Sequence, residues 1–252
     1  MKLIKTSSLL LGALLVMASC TSKPKSDEAK VSEAEEVKEV KGTEISLTAD
    51  EAAMEWVGTK PTGRHYGSIE LSEGNLVITD GNLTGGKLVF DLKNISVTDL
   101  KENKDMHDKL VGHLQSPDFF DAEKFPQATF EIVSVKALNT ANNIADQYDA
   151  YSENMEQPAE GEKIMEAGEY LLEGATHEVI GNLTMRGKTL AITVPAVMNV
   201  SSDSVKAYTN FSIDRTKWGL MYGDESTVED KAKDQFIYNT VGVGLKLNAD
   251  LK

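Results

Sequence analysis

The chain has 252 residues, of which 40% are hydrophobic and 26% charged, and its formal net charge is -14. So acidic a protein is a poor partner for nucleic acid, because phosphate binding needs a basic surface. Cys20 is the single cysteine, so an intrachain disulfide is excluded and the fold must be held together by packing.

The N-terminus has the layout of a secretory signal. Lys2 and Lys5 precede an apolar run over residues 9–18, which is too short to span a bilayer. We therefore predict a signal peptide over residues 1–19, whose removal takes the charge from -14 to -16.

The residues just before Cys20 resemble the lipobox of bacterial lipoproteins. This resemblance implies an acyl anchor on Cys20 and a place in the bacterial cell envelope, on the periplasmic or surface face of the outer membrane. An ordinary signal peptide with a chance cysteine is the alternative.

Residues 20–42 form the next predicted segment. They are mostly Ser, Lys, Glu and Ala with almost nothing large and apolar, so burial cannot offset the entropy of ordering them. We predict a disordered stalk, which serves as a spacer whether it is coil or a fraying helix.

Residues 43–252 are predicted to form one all-β domain. Apolar and polar residues alternate with a period of two in several stretches, which indicates strands. Turn residues at hairpin spacing separate them, so consecutive strands should pair antiparallel, and glycines inside strands favour a closed barrel with an open lumen. The clearest strands are residues 54–57, 88–92, 130–132 and 241–247, and the clearest turns are 61–63, 73–75, 80–82 and 186–187.

Two segments interrupt the strand pattern. Residues 105–115 place Met106, Leu110, Val111 and Leu114 at helical spacing, which predicts a short amphipathic helix. Residues 139–168 are rich in acids and amides without a period of two, and we predict an exposed acidic insertion there.

Four clusters, taken together and in order, resemble the YceI family of exported lipid-binding proteins. The similarity runs from about residue 54 to the C-terminus, and the acidic insertion is the main departure from it. The clusters are residues 56–67 (WVGTKPTGRHYG), residues 85–91 (GGKLVFD) followed by 110–130, residues 181–189 (GNLTMRGKT) and residues 211–219 (FSIDRTKWG).

The resemblance implies a lipocalin-like antiparallel β-barrel with a short flanking helix. Its lumen would hold a polyisoprenoid, a quinone or another long-chain lipid, and no catalytic residue or cofactor would be needed. Family members also occur beside cytochrome b561-like membrane proteins, which implies a possible partner of that kind.

The candidate ligand-binding residues are large aromatic side chains and two polar ones. We expect most of the aromatic residues to be ordinary core and some of them to line the lumen. His65 either donates to a ligand head or fixes a turn, and Arg215 either pairs with an acid such as Asp118 or faces a ligand oxygen. The aromatic candidates are Trp56, Phe90, Phe119, Phe120, Phe130, Phe211 and Trp218.

The remaining histidines give no metal-binding pattern. His107, His113 and His177 form no close-spaced pair of the zinc type, either together or with His65. We expect His113 to pack against phenylalanines or cap a helix, His107 and His177 to be exposed, and Asp118 to cap a turn.

Two other functions stay open. An envelope lipid hydrolase would need a nucleophile, but the sequence has no Gly-x-Ser-x-Gly motif. A surface interaction module would use the acidic insertion as its docking element.

Overall fold

The computed structural model describes residues 27–138, 172, 174–227 and 236–251. The predicted signal peptide, Cys20 and the predicted insertion at 139–168 lie outside these residues. No helix in the described part of the chain is both long and apolar enough to cross a membrane. Its regular elements are β1 (Lys30–Glu33), β2 (Thr43–Leu47), β3 (Ala52–Lys60), β4 (Gly63–Thr79), β5 (Asn82–Ile95), α1 (Lys104–Gln115), β6 (Gln127–Ala137), β7 (His177–Met185), β8 (Lys188–Val200), β9 (Ser204–Asp214) and β10 (Thr240–Asp250), with short 3-10 helices at Thr98–Leu100, Arg215–Trp218 and Glu225–Thr227.

Eight strands, β3 to β10, close into an antiparallel barrel. Each strand pairs with the next along the chain, except that β10 pairs with both β9 and β3, which closes the ring. The predicted all-β, lipocalin-like barrel with a flanking helix is confirmed.

Tight turns join several of these strands as the sequence predicts. Asp80 and Gly81 have φ of 51° and 75°, and Arg186 and Gly187 have φ of 49° and 72°. Positive φ at both central positions defines the type I′ turn, whose twist matches that of paired strands. The turn predicted at residues 73–75 is wrong, because they lie inside the long strand β4, next to a shift in its register with β5.

The two ends of the barrel differ. At one end, which we call the helix end, lie the β3–β4 turn, α1 with its flanking loops, the β7–β8 turn and the chain between β9 and β10. The other end, which we call the far end, carries the β4–β5 turn, the β8–β9 connection at residues 201–203 and the β6–β7 connection, of which the structure describes residues 138, 172 and 174–176.

Helix α1 begins at an N-cap, Asn103, whose side chain accepts a hydrogen bond from the backbone N–H of Met106 at 3.2 Å. Leu114 is buried, and Leu110 and Val111 are half-buried against the core. Met106 is 49% exposed, so the predicted apolar face is correct only for the last two turns of the helix.

Gly67 lets a loop cross close to the barrel wall at the helix end. A β-carbon at this position would lie 1.8 Å from the carbonyl oxygen of Ser96. No other residue fits here without moving that loop, which leads from β5 towards α1. This glycine serves a close backbone approach rather than an open lumen.

The predicted stalk is wrong for residues 27–35, which are attached to the barrel, whereas residues 36–42 are exposed and outside any helix or strand. β1 pairs antiparallel with Leu190–Thr193 of β8, and Ser212 of β9 exchanges backbone hydrogen bonds of 2.8 Å with Asp27 and Ala29. β8 and β9 pair with each other over only four residues each, so their other halves leave unpaired edges. β1 fills that gap, because backbone pairing there does not require large apolar side chains.

Candidate ligand-binding lumen

A cavity of about 470 Å³ lies inside the barrel. Inward side chains from all eight barrel strands line it, together with residues of α1 and of the loops at the helix end. The interior is therefore a lumen rather than a solid core.

The wall of this lumen is mostly apolar. Its lining side chains stand at every second position of a strand, and most of these positions hold apolar residues. On β8 the lining residues are Ile192, Val194, Ala196 and Met198. The far end is apolar as well, with Leu83 and Met198 among its lining residues. A guest of matching chemistry is an aliphatic or isoprenoid chain, since each square ångström of apolar surface removed from water contributes roughly 25 cal/mol.

Polar side chains gather in the lining at the helix end. The β3–β4 hairpin contributes Lys60, Arg64 and His65, α1 contributes His113, and the chain after β9 contributes Tyr222. The polarity of the lumen therefore changes along its length, from apolar at the far end to more polar at the helix end.

His65 is held by a carboxylate on the loop that crosses Gly67. Its Nδ1 lies 2.7 Å from Oδ2 of Asp99, and the other oxygen of Asp99 accepts a hydrogen bond from the backbone N–H of Tyr66 at 2.9 Å. The His65 side chain is 35% exposed and also lines the lumen. The contact with Asp99 thus fixes the orientation of this histidine at the lumen wall.

Arg215 does not make the predicted pair with Asp118. It is 2% exposed and donates to the backbone carbonyls of Tyr238 (3.4 Å), Ile237 (3.2 Å) and Leu220. Burial lowers the pKa of its guanidinium, and the nearby charge of Asp224 opposes that shift. Arg215 holds together the two chain segments that cover the helix end.

Asp118 itself is exposed. The Ser116 hydroxyl accepts a hydrogen bond from the backbone N–H of Asp118 at 3.3 Å, so Ser116 does the capping predicted for Asp118.

Asp224 is a structural residue that sequence reasoning missed. It is buried, and its carboxylate accepts hydrogen bonds from the Ser226 backbone (2.9 Å), the Ser226 hydroxyl (2.8 Å) and the Asn239 amide (2.7 Å). These donors, the Ser226 backbone foremost, lower the pKa of Asp224. The Asp-x-Ser spacing that forms such turns was the available signal.

The predicted aromatic residues fall into two groups. All but one line the lumen, whereas Trp218 is not among the lining residues. Its indole is 1% exposed and donates to the Leu183 carbonyl at 2.9 Å, which makes it part of the packed wall. The lining members are Trp56, Phe90, Phe119, Phe120, Phe130 and Phe211.

An aromatic cluster surrounds His113 at the helix end. Its ring meets the edge of Tyr222 with centroids 4.4 Å apart and that of Phe119 at 6.0 Å, in agreement with the expected packing against phenylalanines. Tyr222 is 48% exposed, so this cluster lies between the lumen and solvent.

The other two histidines are half-buried rather than exposed. His107 contacts Asp108 at 3.0 Å, and the Nδ1 of His177 lies 2.8 Å from the Thr176 hydroxyl. Burial lowers the pKa of His177. Among the described residues, no three His, Cys, Asp or Glu side chains gather in a way that could hold a metal ion.

These features define a class of protein, the closed antiparallel β-barrel with an internal lumen that is polar at one end. The YceI-like domain model matches residues 39–249, and the chain therefore belongs to the YceI-like family. β1 lies ahead of the matched residues.

Two solved structures share the fold. BcnA from Burkholderia cenocepacia is 16% identical, with a TM-score of 0.53, and the match covers 81% of this chain and 99% of that one. A polyisoprenoid binding domain from Saccharophagus degradans, implicated in plant cell wall breakdown, is 18% identical, with a TM-score of 0.51 and coverage of 81% and 97%. No curated protein sequence matches the chain.

Proposed function

We propose that this protein binds the apolar chain of a polyisoprenoid or similar long-chain lipid in its lumen and catalyses no reaction on it. The observation that carries the proposal is the mostly apolar cavity inside the barrel, whose charged lining residues lie at the helix end. The name of the related Saccharophagus degradans domain, which binds polyisoprenoid, supports the same ligand class.

Burial in such a lumen supplies enough free energy for binding. Each methylene removed from water contributes about 0.8 kcal/mol, so ten of them contribute roughly 8 kcal/mol before the cost of ordering the chain. A dissociation constant on the order of 1 μM needs about 8 kcal/mol net of that cost, so tight binding needs a chain longer than ten methylenes. No covalent step or cofactor is needed for this function.

A lipid hydrolase fits the lumen less well. The His65–Asp99 pair would need a nucleophile beside it, and in the described residues the hydroxyls of the lining belong to Thr59, Tyr208, Thr209 and Tyr222 rather than to a serine. Turnover of a long-chain ester that disappears on changing His65 to Ala would favour the hydrolase.

We further propose that the protein works in the cell envelope, tethered through Cys20. The chain is hydrogen-bonded to β9 from Asp27 onward, which leaves residues 21–26 between the anchor and the barrel. Fully extended, they reach roughly 20 Å. The lumen would thus stay within reach of the bilayer.

A cytochrome b561-like partner and shuttling of the lipid stay predictions. Loss of membrane association in Cys20→Ser tests the anchor.

The ligand-binding proposal is tested by filling the lumen. Ala128 and Ala196 are buried lining residues, so Ala128→Phe and Ala196→Phe each place a ring where the lipid chain would lie. Titration of the delipidated chain with a long-chain prenol should show binding that weakens at least tenfold in both variants. Ala53→Phe, at an exposed position of β3, is the matched control and should bind as the wild type does. Equal affinity in all four proteins would contradict a luminal site.

A further inference from the structure

The lumen opens to solvent at the helix end and is closed at the far end. Tyr222 is 48% exposed and the His65 side chain 35% exposed, and both residues line the lumen. The lining residues of the far end, such as Leu83 and Met198, are buried. A long apolar guest therefore enters and leaves at the helix end, beside α1 and the chain that follows β9.

Apolar side chains are exposed around this opening. Met106, Met221 and Tyr222 are 49%, 50% and 48% exposed, which makes them the most exposed large hydrophobic residues in the described part of the chain. Met221 precedes Tyr222, whose ring packs on His113 of α1. Met106 lies on the same helical face as Leu110 and His113, which both line the lumen. We call Met106, Met221 and Tyr222 the rim patch.

The charge of the helix end differs from that of the rest of the molecule. Its segments, residues 60–64, 96–126, 186–188 and 215–239, hold twelve basic and twelve acidic residues. The net charge of -14 therefore belongs entirely to the rest of the chain. A bilayer that contains anionic lipids repels an acidic surface, so the helix end is the face that can approach a bilayer most closely.

The chemistry of the ligand gives a physical reason for such an approach. A long-chain lipid that leaves the lumen through water exposes its whole chain, which is unfavourable in proportion to its apolar area. Contact between the open end of the lumen and a bilayer avoids this exposure, because the chain then passes from one apolar environment into another. A tyrosine suits the contact, since its apolar ring and polar tip fit the interface between a membrane and water.

We propose that the rim patch docks the open end of the lumen on the surface of a lipid bilayer, so that the lipid passes directly between the two. Two observations favour a bilayer over a protein as the occupant. The patch adjoins a lumen whose proposed ligand dissolves in bilayers, and the segments around it carry no net charge. This inference rests on the proposed lipid-binding function and adds the route by which the ligand enters.

The test measures the transfer of dansyl-labelled geranylgeraniol from the protein to vesicles of phosphatidylcholine. The full chain carries Cys20→Ser in every sample, so no acyl group holds it on the vesicles. Transfer by contact has a rate that rises in proportion to the vesicle concentration, which is the result we expect. Transfer through water has a rate set by dissociation alone, which does not depend on the vesicles.

A double variant, Met106→Ser with Met221→Ser, removes most of the rim patch without changing a lining residue. Transfer should become at least about tenfold slower, since two half-exposed methionines bury roughly the apolar area of one whole side chain on docking. Its affinity for the probe should match the wild type, which shows that the lumen is intact.

Val37→Ser with Val40→Ser is the matched control for the double methionine variant. Both valines are exposed, and Val40 lies beside Gly85, near the β4–β5 turn at the far end. This control should transfer the probe as fast as the wild type does, because the far end does not meet the bilayer.

Three results would overturn the docking and leave luminal lipid binding standing. A rate that does not depend on vesicle concentration would show that the lipid leaves through water. Equal rates in all three proteins would place the contact outside the rim patch. A double methionine variant that transfers normally to pure lipid vesicles but slowly to membranes of the bacterial host would assign the patch to a membrane protein. Failure of the wild type to bind the probe would contradict the proposed function itself.

Discussion

The guanidinium of Arg215 lies inside the helix end with the backbone carbonyls of Leu220, Ile237 and Tyr238 around it. A planar side chain with five donors can bond to carbonyls in three directions, which a lysine cannot reproduce. Its position after a strand and before Trp218 suggested a ligand contact or an ion pair. In the structure it stabilises the cover of the helix end and also lines the lumen, so a contact with a ligand oxygen stays a prediction.

We expect Arg215→Met to lower the free energy of unfolding by at least about 2 kcal/mol, because it removes charge-assisted hydrogen bonds and leaves buried carbonyls unpaired. Urea unfolding measures this difference. Lys217→Met is the matched control, since the ion pair that Lys217 makes within the described residues is a long contact of 3.8 Å with exposed Glu28. Similar midpoints for Arg215→Met and the wild type would contradict the structural role.

Glu55 gives a prediction about pH. It is half-buried on β3, and burial raises the pKa of its carboxyl, with Lys246 opposing the shift. The folded state therefore keeps this proton to higher pH than the unfolded state does. Its contribution to stability falls as the pH rises from about 4.3, the unfolded value, through the folded pKa.

Glu55→Gln should accordingly be more stable than the wild type at pH 7, and the difference should vanish below about pH 4. Urea unfolding at several pH values measures the gap. Glu70→Gln, at an exposed position of the neighbouring strand, is the control. A gap that widens as the pH falls would show that the sign of the pKa shift is wrong.

At the scale of residues, the aromatic candidates for the site were predicted more correctly than the roles of its polar side chains. Phe90 and Phe211 were candidates for the lumen, but only the strand register of the folded barrel assigns them to its inner face, since a one-residue shift would reverse the assignment. The partners of His65 and Arg215 come from segments 34 and 5 to 23 residues away, and local patterns do not encode such contacts. Asp99 was missed for that reason, whereas Asp224 was missed although its Asp-x-Ser spacing was a local signal.

At the scale of elements, the N-terminal strand β1 is the main departure from expectation. Its sequence, KVSE, is too short and polar to predict a strand. It forms because β8 and β9 diverge and offer unpaired backbone on both sides, which is a property of the closed barrel. Asn182 extends the attachment, since its side-chain amide both accepts from and donates to the backbone of Glu35, at 2.9 and 2.7 Å.

We expect Ser32→Pro to detach β1, because proline cannot donate to the ladder with Ala191. Stability should fall by roughly 1–3 kcal/mol, and the amides of residues 190–193 and of Ser212 should exchange faster. Hydrogen exchange followed by mass spectrometry measures this. Glu36→Pro, at an exposed position beyond β1, is the control and should leave these amides protected. Unchanged exchange in Ser32→Pro would show that β1 contributes little to the barrel wall.

Strands with strong alternation and turns with Asp-Gly or Arg-Gly were predictable, because their geometry depends on neighbouring residues alone. Gly74 stands between Glu73 and Asn75 in a sequence that is typical of a turn, yet it lies within β4. Whether a glycine ends a strand or relaxes its register depends on the strands beside it, and a single segment does not contain that information.

At the scale of the whole molecule, the central feature is a wall of paired strands around an apolar space. The sequence predicted the closed sheet from turn spacing and strand glycines, and the structure confirms it. The sequence did not predict how polar residues are distributed along the lumen, with the charged ones at the helix end. That arrangement depends on which ends of the strands carry α1 and the long loop after β9.

The most direct measurement is the chemical identity of what the protein carries. The full chain, purified from its bacterial host without detergent, would be extracted with organic solvent and the extract analysed by mass spectrometry. We predict about one long-chain isoprenoid or similar lipid per protein, and its loss from Ala128→Phe and Ala196→Phe but not from Ala53→Phe. Extracts that contain no long-chain molecule, in repeated preparations of folded protein, would contradict luminal lipid binding.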